Sequence, residues 1–381
     1  MSAMRQQLPE HTRAATNEAI PFSSKIAARF QSLRRNNGRH QRVFEPLPQP
    51  SQDRLDASLN DTPIDTTKLL ASQPSPAQDK QKTVLYLAYG SNLCDETFRG
   101  VRGIQPLSQT NVLVPSLRLT FDLPGIPYKE PCFANTALRP PPPAPPAPPS
   151  QHATDYHKDR WHKGLVGVVY EVTLPDYAHI IATEGGGSAY TDILVDCHVL
   201  AKGEAVPCVP SGRPFRAHTL FAPLEGRAHR PDPAYAQPSA RYLKLISDGA
   251  AERELPAEYR AYLRGIRPYT ITRTAQMVGA ALFLAIWLPV VMLVFAMAKY
   301  LQDERGRAPG WFAEFSARVF GGMWMCYDGV FRGVFGEGER TVGDGSVTVA
   351  KRARDGEKVG LLEDVVDTLE GGEKSGWSSH V

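Results

Sequence analysis

The sequence is poor in cysteine and carries little net charge. It has five Cys among 381 residues, and no two of them are spaced as Cys-x-x-Cys. This excludes a disulfide scaffold and a zinc ribbon, and a sparse, odd number of thiols favours a reducing compartment. The formal net charge is only +3, with 22% charged residues, which excludes a strongly basic nucleic-acid binder.

Several sequence signatures are missing as well. No apolar stretch follows Met1, so a secretory signal peptide is not predicted. A basic run at 25–42 resembles a mitochondrial presequence, but Glu10 and Glu18 argue against that, and a flexible basic tail is preferred. The chain contains no G-x-S-x-G elbow, no Walker loop and no dinucleotide fingerprint, so nothing supports those classes of enzyme.

Proline and glycine are abundant, at 33 and 31 residues, so part of the chain is expected to be linker. Residues 1–80 have only three aromatic residues, all Phe, and are predicted to be disordered. Eight prolines fall in 140–149, which predicts a polyproline II excursion within an insertion at 140–163. It is either inert or a ligand for an SH3 or WW module. The insertion contains His152, His157 and His162, but no metal site is predicted, since no Cys accompanies them.

The segment between these regions alternates strand-like and helix-like runs. Thr83–Tyr89 is a continuous apolar run that ends at Gly-Ser-Asn, a sequence typical of a strand followed by a tight turn. Further strands are predicted at 117–121, 165–172, 193–200 and 219–221, and helices at 175–184, 239–250 and 256–263. Glu184 stands directly before three glycines. A carboxyl at a helix C-terminus beside apolar residues holds its proton more strongly, which suits proton transfer; an exposed terminal Glu is the alternative.

Four of these elements together resemble the gamma-glutamylcyclotransferase family. The turn Tyr89-Gly-Ser-Asn92 resembles the family's signature, and Val166–Val172 resembles its Gly-Val-Val-Tyr strand. Glu184-Gly, with Tyr190 six residues after the Glu, resembles the catalytic element. Arg241–Ile246 and Leu255–Tyr259 resemble the closing helices. The elements occur in family order and span 82–268. The proline insertion and the triple glycine depart from the family pattern, and they leave the shape of the active-site loop open.

The resemblance implies an α+β fold class, a mixed fold around a small, partly closed β-sheet or barrel, over residues 81–270. It implies conversion of a gamma-glutamyl amino acid or peptide to 5-oxoproline and a free amino acid, without a metal or cofactor. Glu184 would be the proton acceptor and donor, and the Asn92 form of the turn favours gamma-glutamylamine substrates over glutathione alone. The substrate-binding residues it implies are Leu87, Ala88, Tyr89, Gly90, Ser91, Asn92, Tyr190 and Tyr242.

A long apolar run follows this domain. Residues 277–298 contain no charged side chain, and at about 1.5 Å per residue they can cross the hydrocarbon core of a bilayer. One transmembrane helix is therefore predicted, a buried soluble helix being the alternative. The basic residues on its two sides balance, so the cytosolic placement of the catalytic domain rests on the missing signal peptide and the thiols. Residues 302–335 are too charged to span a bilayer and are predicted to be a juxtamembrane amphipathic segment, either an interfacial helix or a re-entrant hairpin. A helix packed on a partner is the alternative. Residues 336–381 are predicted to be a polar, mostly disordered tail.

Two kinds of function remain open. The first is a membrane-anchored gamma-glutamylcyclotransferase, acting either on gamma-glutamyl amino acids and peptides in general or specifically on glutathione. The second is a membrane-tethered interaction protein that has lost the activity and recruits partners through 140–149. Glu184, Tyr190 and the intact turn favour the enzyme.

Overall fold

The structure, a computed structural model, describes residues 44–71, 82–139, 161–183, 191–201, 203, 205–222, 236–301 and 309–342. From Glu45 onward these residues belong to one unit. The predicted site residues Glu184 and Tyr190 lie outside the described residues, as do 140–160 of the predicted insertion.

The helices and strands follow one another in a mixed order. Helices α1 (Gln52–Ala57) and α2 (Thr66–Ala71) precede strands β1 (Thr83–Ala88), β2 (Ser108–Val114), β3 (Leu117–Ile126), β4 (Glu130–Leu138) and β5 (Leu165–Thr173). Helix α3 (Leu174–Thr183), β6 (Thr191–Val199) and β7 (Phe215–Phe221) come next. The remaining helices are α4 (Ala240–Glu252), α5 (Ala257–Gly265), α6 (Thr274–Leu301), α7 (Gly310–Cys326) and α8 (Arg332–Phe335).

Five of the strands form a closed barrel in the order β1-β5-β2-β6-β7. Neighbours pair antiparallel except β1 and β7, which close the barrel in parallel with Tyr86 opposite His218. Strand β5 pairs with both β1 and β2, and its residues 165–170 are buried. A strand enclosed on both faces requires a continuous apolar run, which is the pattern that predicted it. The predicted mixed fold around a partly closed sheet is confirmed.

Strands β2 and β4 were not predicted, because polar residues interrupt their apolar patterns. The structure buries several of these polar side chains with partners. Ser108 donates to the Glu171 carboxylate at 2.8 Å, and the Asn135 amide donates to Asp122 at 2.9 Å. A buried polar group costs little when it is hydrogen-bonded, so these strands depend on partners that are distant in sequence.

Residues 45–71, here called the N-terminal strap, pack against the barrel, and the predicted disorder of 1–80 is therefore wrong for this stretch. Arg54 Nε donates to Thr83 Oγ1 at 2.9 Å, and Pro48 O accepts from the Gln109 amide at 2.8 Å. Apolar side chains of the strap also pack on the barrel core: Leu47, Leu55, Ile64, Leu69 and Leu70. The strap has too few apolar residues for a core of its own, and composition alone does not reveal a core that the barrel supplies.

Helix α6 contains the predicted membrane segment. From Thr274 to Ala298 it is long and apolar enough to cross a membrane. It does not stand alone, because a second core joins it to α7 and to the turn between β3 and β4. Phe283 of α6 lies 5.8 Å from the Tyr128 ring of that turn and 5.0 Å from the Phe331 ring. Trp324 Nε1 donates to Gly125 O at 3.2 Å. In the described residues 309–335, the segment packs on α6 of the same chain.

The chain returns to the barrel domain after α8. Gly338 N donates to the Tyr327 hydroxyl at 2.8 Å, Glu339 O accepts from Gln237 N at 2.8 Å, and Val342 O accepts from Thr272 Oγ1 at 2.6 Å. Residues 336–342 are thus ordered, and the predicted polar tail is corrected for these residues. Backbone hydrogen bonds hold them, so their polar side chains gave no signal in the sequence.

The predicted proline insertion leaves and re-enters the domain at one place. Arg139 donates to His162 O at 2.6 Å, which ties the residue after β4 to the approach to β5. Trp161 packs on the Tyr259 ring at 5.0 Å. An insertion whose two ends are joined in this way can be long without disturbing the barrel.

Gly249 allows the turn after β1 to lie directly against α4. A Cβ at this position would be 2.5 Å from Cys94 N and 2.5 Å from Leu93 C. We predict that Gly249→Ala lowers the free energy of unfolding by about 1–3 kcal/mol, since backbone would have to move. Urea or thermal unfolding measures the change. Gly265→Ala is the matched control, because nothing lies within 4 Å of its Cβ. Equal stability of the two variants would contradict the prediction.

Candidate active site

A small open cavity of about 50 Å³ lies where β1 ends, next to the turn that follows it. Its lining combines that turn with residues from four other parts of the domain: Tyr86, Tyr89, Gly90, Ser91, Asn92, Ala134, Leu220 and Tyr242. Strand β1 supplies Tyr86, β4 supplies Ala134, β7 supplies Leu220 and α4 supplies Tyr242. The cavity therefore depends on barrel closure, since β1 and β7 are the strands that close it.

The turn is held by hydrogen bonds on both sides. Leu93 N donates to Gly90 O and Cys94 N donates to Ser91 O, both at 3.1 Å. The Asn92 side chain donates to the Tyr86 hydroxyl at 2.9 Å, behind the turn. The turn uses the N–H groups of Leu93 and Cys94, so the amides of Gly90 and Ser91 are not consumed by it. Backbone amides fixed in this way can bind an anion or a developing oxyanion.

Tyr242 closes the cavity from the first turn of α4. Ser239 begins this helix, and its hydroxyl accepts from the Tyr242 amide at 3.0 Å. The Tyr242 hydroxyl accepts from the Ala134 amide at 3.1 Å. A Cβ at Gly90 would lie 3.3 Å from this hydroxyl oxygen, so a side chain there would narrow the cavity. The structure thus places the predicted residue Tyr242 opposite the predicted turn.

Two other predicted binding residues occupy a different position. Leu87 and Ala88 are 0% and 1% exposed within β1 and are not among the residues that line the cavity. Three residues that line the cavity were not predicted: Tyr86, Ala134 and Leu220. Tyr86 belongs to the predicted strand that leads directly into the turn, three residues before Tyr89, so its position near the turn could have been predicted. Ala134 and Leu220 lie far along the chain on other strands, and only the tertiary fold brings them to the cavity.

In the sequence, the predicted catalytic element connects α3 to β6. Helix α3 ends at Thr183, β6 begins at Thr191, and Glu184 and Tyr190 belong to the intervening residues outside the description. Across the described residues, no three His, Cys, Asp or Glu side chains are grouped as they would be around a metal ion.

Curated relatives identify the family. A gamma-glutamyl cyclotransferase of Aspergillus fumigatus, gliK, is 34% identical over 265 residues, which is 69% of this chain and 91% of the relative. The corresponding protein of Aspergillus oryzae, aclK, is 32% identical over 278 residues, covering 70% of this chain and 93% of the relative. The chain belongs to the gamma-glutamyl cyclotransferase family. The relatives therefore support an enzyme of the gamma-glutamyl cyclotransferase type, as the resemblance in the sequence implied.

Two further comparisons describe parts of this cyclotransferase. A family model described as the AclK C-terminal domain matches residues 273–334, which contain the apolar helix α6, helix α7 and all but the last residue of α8. Among solved structures, an uncharacterized protein from Homo sapiens is 21% identical with a TM-score of 0.35, and covers 50% of this chain and 92% of its own. A gamma-glutamyl cyclotransferase is 20% identical with a TM-score of 0.34, and covers 51% and 93%.

Tyr242→Phe tests the geometry of the cavity. We predict that it lowers kcat/KM for a gamma-glutamyl substrate by about 2- to 10-fold, because the Ala134 amide loses its acceptor and the cavity loses a hydroxyl. Steady-state kinetics measures the change.

Tyr259→Phe is the matched control. It removes the hydroxyl of a fully buried tyrosine, which lies on α5 outside the cavity and has no hydrogen-bond partner in the described part of the chain. The prediction fails if both variants retain the wild-type kcat/KM.

Proposed function

We propose that this cyclotransferase converts a gamma-glutamyl amino acid or peptide to 5-oxoproline and a free amino acid. The observation that carries the proposal is the cavity at the Tyr89–Asn92 turn, faced by Tyr242, in a chain of this family. The turn amides of Gly90 and Ser91 offer donors for the substrate carboxylate or the oxyanion. Glu184, the first residue after α3, is proposed as the group that moves the proton.

The proposed reaction needs no reactant besides the substrate. The α-amine nitrogen attacks the γ-carbonyl carbon, a new C–N bond closes the five-membered ring, and the original amide C–N bond breaks. Glu184 takes one proton from the α-ammonium group before the attack, and the ring nitrogen gives up a second proton after it. Both protons pass to the leaving amine, which departs as an ammonium group, so protons and electrons balance. Because nucleophile and carbonyl belong to one molecule, their proximity supplies much of the rate. The protein has to orient them and stabilise the oxyanion.

Two alternatives remain beside this proposal. The first is an enzyme restricted to glutathione, in which the cavity accepts only that peptide. The second is an inactive, membrane-tethered protein that keeps the fold for interaction. The Asn92–Tyr86 hydrogen bond, which fixes the turn at the cavity, favours an active enzyme. The family resemblance of the Asn92 form of the turn favours gamma-glutamyl amino acids over glutathione alone.

The assay uses the full chain with gamma-glutamyl-alanine and, in parallel, glutathione. We predict 5-oxoproline release by the wild type from gamma-glutamyl-alanine, and a loss of at least about 100-fold in kcat for Glu184→Gln, as expected for a general acid–base group. Liquid chromatography with mass detection measures 5-oxoproline. Release from glutathione alone would favour the restricted enzyme.

Glu96→Gln is the matched control for this substitution. It neutralises an exposed carboxylate that does not line the cavity, so its kcat should stay at the wild-type value. A folded wild type without release from either substrate would favour the inactive protein. Full activity in Glu184→Gln would exclude that residue as the proton carrier.

We also propose that the enzyme attaches to a membrane through α6, with the catalytic domain on the cytosolic side. The face of α6 turned away from the second core exposes an uncharged apolar stripe: Met277, Val278, Leu282, Ile286 and Leu293 are 47–60% exposed. At about 1.5 Å per residue this stripe is roughly 24 Å long. Exposed apolar surface of this extent is typical of a contact with lipid or protein. Hydrocarbon is the partner that the stripe fits best, because it needs no hydrogen-bonding groups.

The return of the chain limits the topology of this attachment. Residues 339–342 bind next to Thr270 and Thr272, at the start of α6. Both ends of the helical region are therefore on the side of the catalytic domain. If α6 crosses a bilayer, the segment 310–335 has to return through it.

Substitution of the stripe tests the attachment without removing the second core. We predict that the triple variant Leu282→Gln, Ile286→Gln, Leu293→Gln moves most of the protein from the sedimenting membrane fraction to the supernatant. The control carries Leu138→Gln and Val209→Gln, at apolar residues of the barrel domain that are 70% and 79% exposed. An unchanged distribution of the triple variant, or equal release of the control, would reject the proposal. Protease added to sealed vesicles with a cytosolic outer face should cleave the catalytic domain.

A further inference from the structure

A buried hydrogen-bond network centred on Asp192 lies beneath the barrel surface. Asp192, at the start of β6, is 3% exposed. Its carboxylate accepts from the Tyr177 hydroxyl of α3 at 2.5 Å and from the Ile64 amide of the N-terminal strap at 2.6 Å. His218 Nδ1 of β7 lies 2.9 Å from the same carboxylate. Four segments that are distant in sequence therefore meet at one side chain.

The network lies at both ends of the segment that carries the proposed catalytic residue. Tyr177 precedes Glu184 by seven residues on the helix that leads to it, and Asp192 follows Tyr190 by two residues on the strand that comes after. The Tyr177–Asp192 hydrogen bond thus ties the first half of α3, six residues before its end, to the beginning of β6. Since residues 184–190 connect these two elements, the bond fixes the separation and orientation of both attachment points.

The same network also reaches the cavity through Tyr86. The Tyr177 ring lies 5.9 Å from the Tyr86 ring, and the Tyr86 hydroxyl accepts from Asn92 in the turn. Tyr86 is also the register partner of His218 where β1 and β7 close the barrel. Two routes, one through the Tyr177 ring and one through β7, therefore connect Asp192 to the turn.

The chemistry of the partners explains why the network is well fixed. A buried carboxylate is costly unless donors surround it, and Asp192 has donors from a side-chain hydroxyl and a backbone amide as well as an imidazole. Burial and the neighbouring Asp192 raise the pKa of Tyr177 well above its usual value. The Tyr177 hydroxyl is therefore protonated and remains a donor throughout the range in which the enzyme is assayed.

We propose that Asp192 is a positioning residue, which acts through Tyr177 and His218 to fix α3 and β6, the elements on either side of the Glu184 segment, relative to strand β1 and the Tyr89–Asn92 turn. The inference rests on the proposed function of Glu184. Asp192 does not line the cavity, so it contributes through the placement of other groups. Misplacement of a catalytic group by about 1 Å can cost on the order of 100-fold in rate.

The N-terminal strap belongs to this arrangement. Besides the Ile64 amide, it brings Asp61, whose carboxylate lies 4.0 Å from His218 Nε2 and 3.4 Å from Arg54. A fragment that begins after the strap would lack the Ile64 donor to Asp192. For this reason the test below uses the full chain.

The experiment compares Tyr177→Phe and Asp192→Asn with the wild type in the full chain. Tyr177→Phe removes one hydroxyl, and Asp192→Asn keeps the size of the side chain. We expect kcat to fall about 10- to 100-fold with KM within about 2-fold. Hydrogen–deuterium exchange of peptides that cover 184–190 should become about 10-fold faster in both variants, because the attachment points are released.

Tyr128→Phe is the matched control. It also removes a buried tyrosine hydroxyl, one that donates to Gly336 O at 2.7 Å in the second core, remote from the cavity. It should lower the thermal unfolding temperature and leave both kcat and the exchange of 184–190 unchanged. Thermal unfolding of every variant shows whether it is folded.

The two proposals fail in different ways. Wild-type kcat and wild-type exchange of 184–190 in Tyr177→Phe and Asp192→Asn would overturn the positioning role while leaving the cyclotransferase proposal intact. An equal loss in the Tyr128→Phe control would overturn it as well, since the effect would then be one of general stability. If the wild type releases no 5-oxoproline, the function fails, and the exchange rates alone decide the positioning role.

Discussion

The candidate site depends on the closure of the barrel between β1 and β7. This parallel pairing places Tyr86 opposite His218. The Tyr86 hydroxyl accepts a hydrogen bond from the Asn92 side chain, and His218 Nδ1 contacts the Asp192 carboxylate. Closure thus brings the turn after β1 and the beginning of β6 into one network, although Asn92 and Thr191 are 99 positions apart in the sequence. A sheet left open between these strands would still carry the turn sequence, but it would have no opposite wall for a cavity.

Much of this barrel could be predicted from the sequence. Strands β1 and β5 have continuous apolar runs because the barrel encloses them, and α4 shows its core face through Tyr242 and Ile246, which are both buried. Strands β2 and β4 were not predicted, because they contain polar residues. The hydrogen-bond partners that allow these residues to be buried lie on other strands. The turn and Tyr242 were predicted because four sequence motifs occur together in the order typical of the family. Nothing in the sequence around Ala134 or Leu220 indicates that these residues line a cavity. Asp192 was missed for the same reason, since only the fold shows that Tyr177 and Ile64 donate to it.

The two segments that flank the barrel domain in the sequence, the N-terminal strap and residues 336–342, are ordered although their amino-acid composition predicts disorder. The N-terminal strap and residues 336–342 are polar, and each lacks a core of its own. They are nevertheless held by backbone hydrogen bonds and by short side chains, such as Ser58, which is 0% exposed and accepts from Arg216 N at 2.9 Å. Chain entropy opposes the ordering of such segments. An existing barrel offsets this cost with donors and acceptors that are already fixed, so the flanks order on the barrel rather than alone.

The proposed reaction explains why support outside the cavity matters as much as the residues in it. The substrate brings both its nucleophile and its electrophile, so the protein has to add one proton carrier and a few fixed donors. Such a reaction gains little from further reactive groups and a great deal from accurate placement of the few it uses. The contact of Gly249 with the turn and the donors around Asp192 both serve placement. In this family member, side chains without any reactive role therefore determine how well the reactive ones are held.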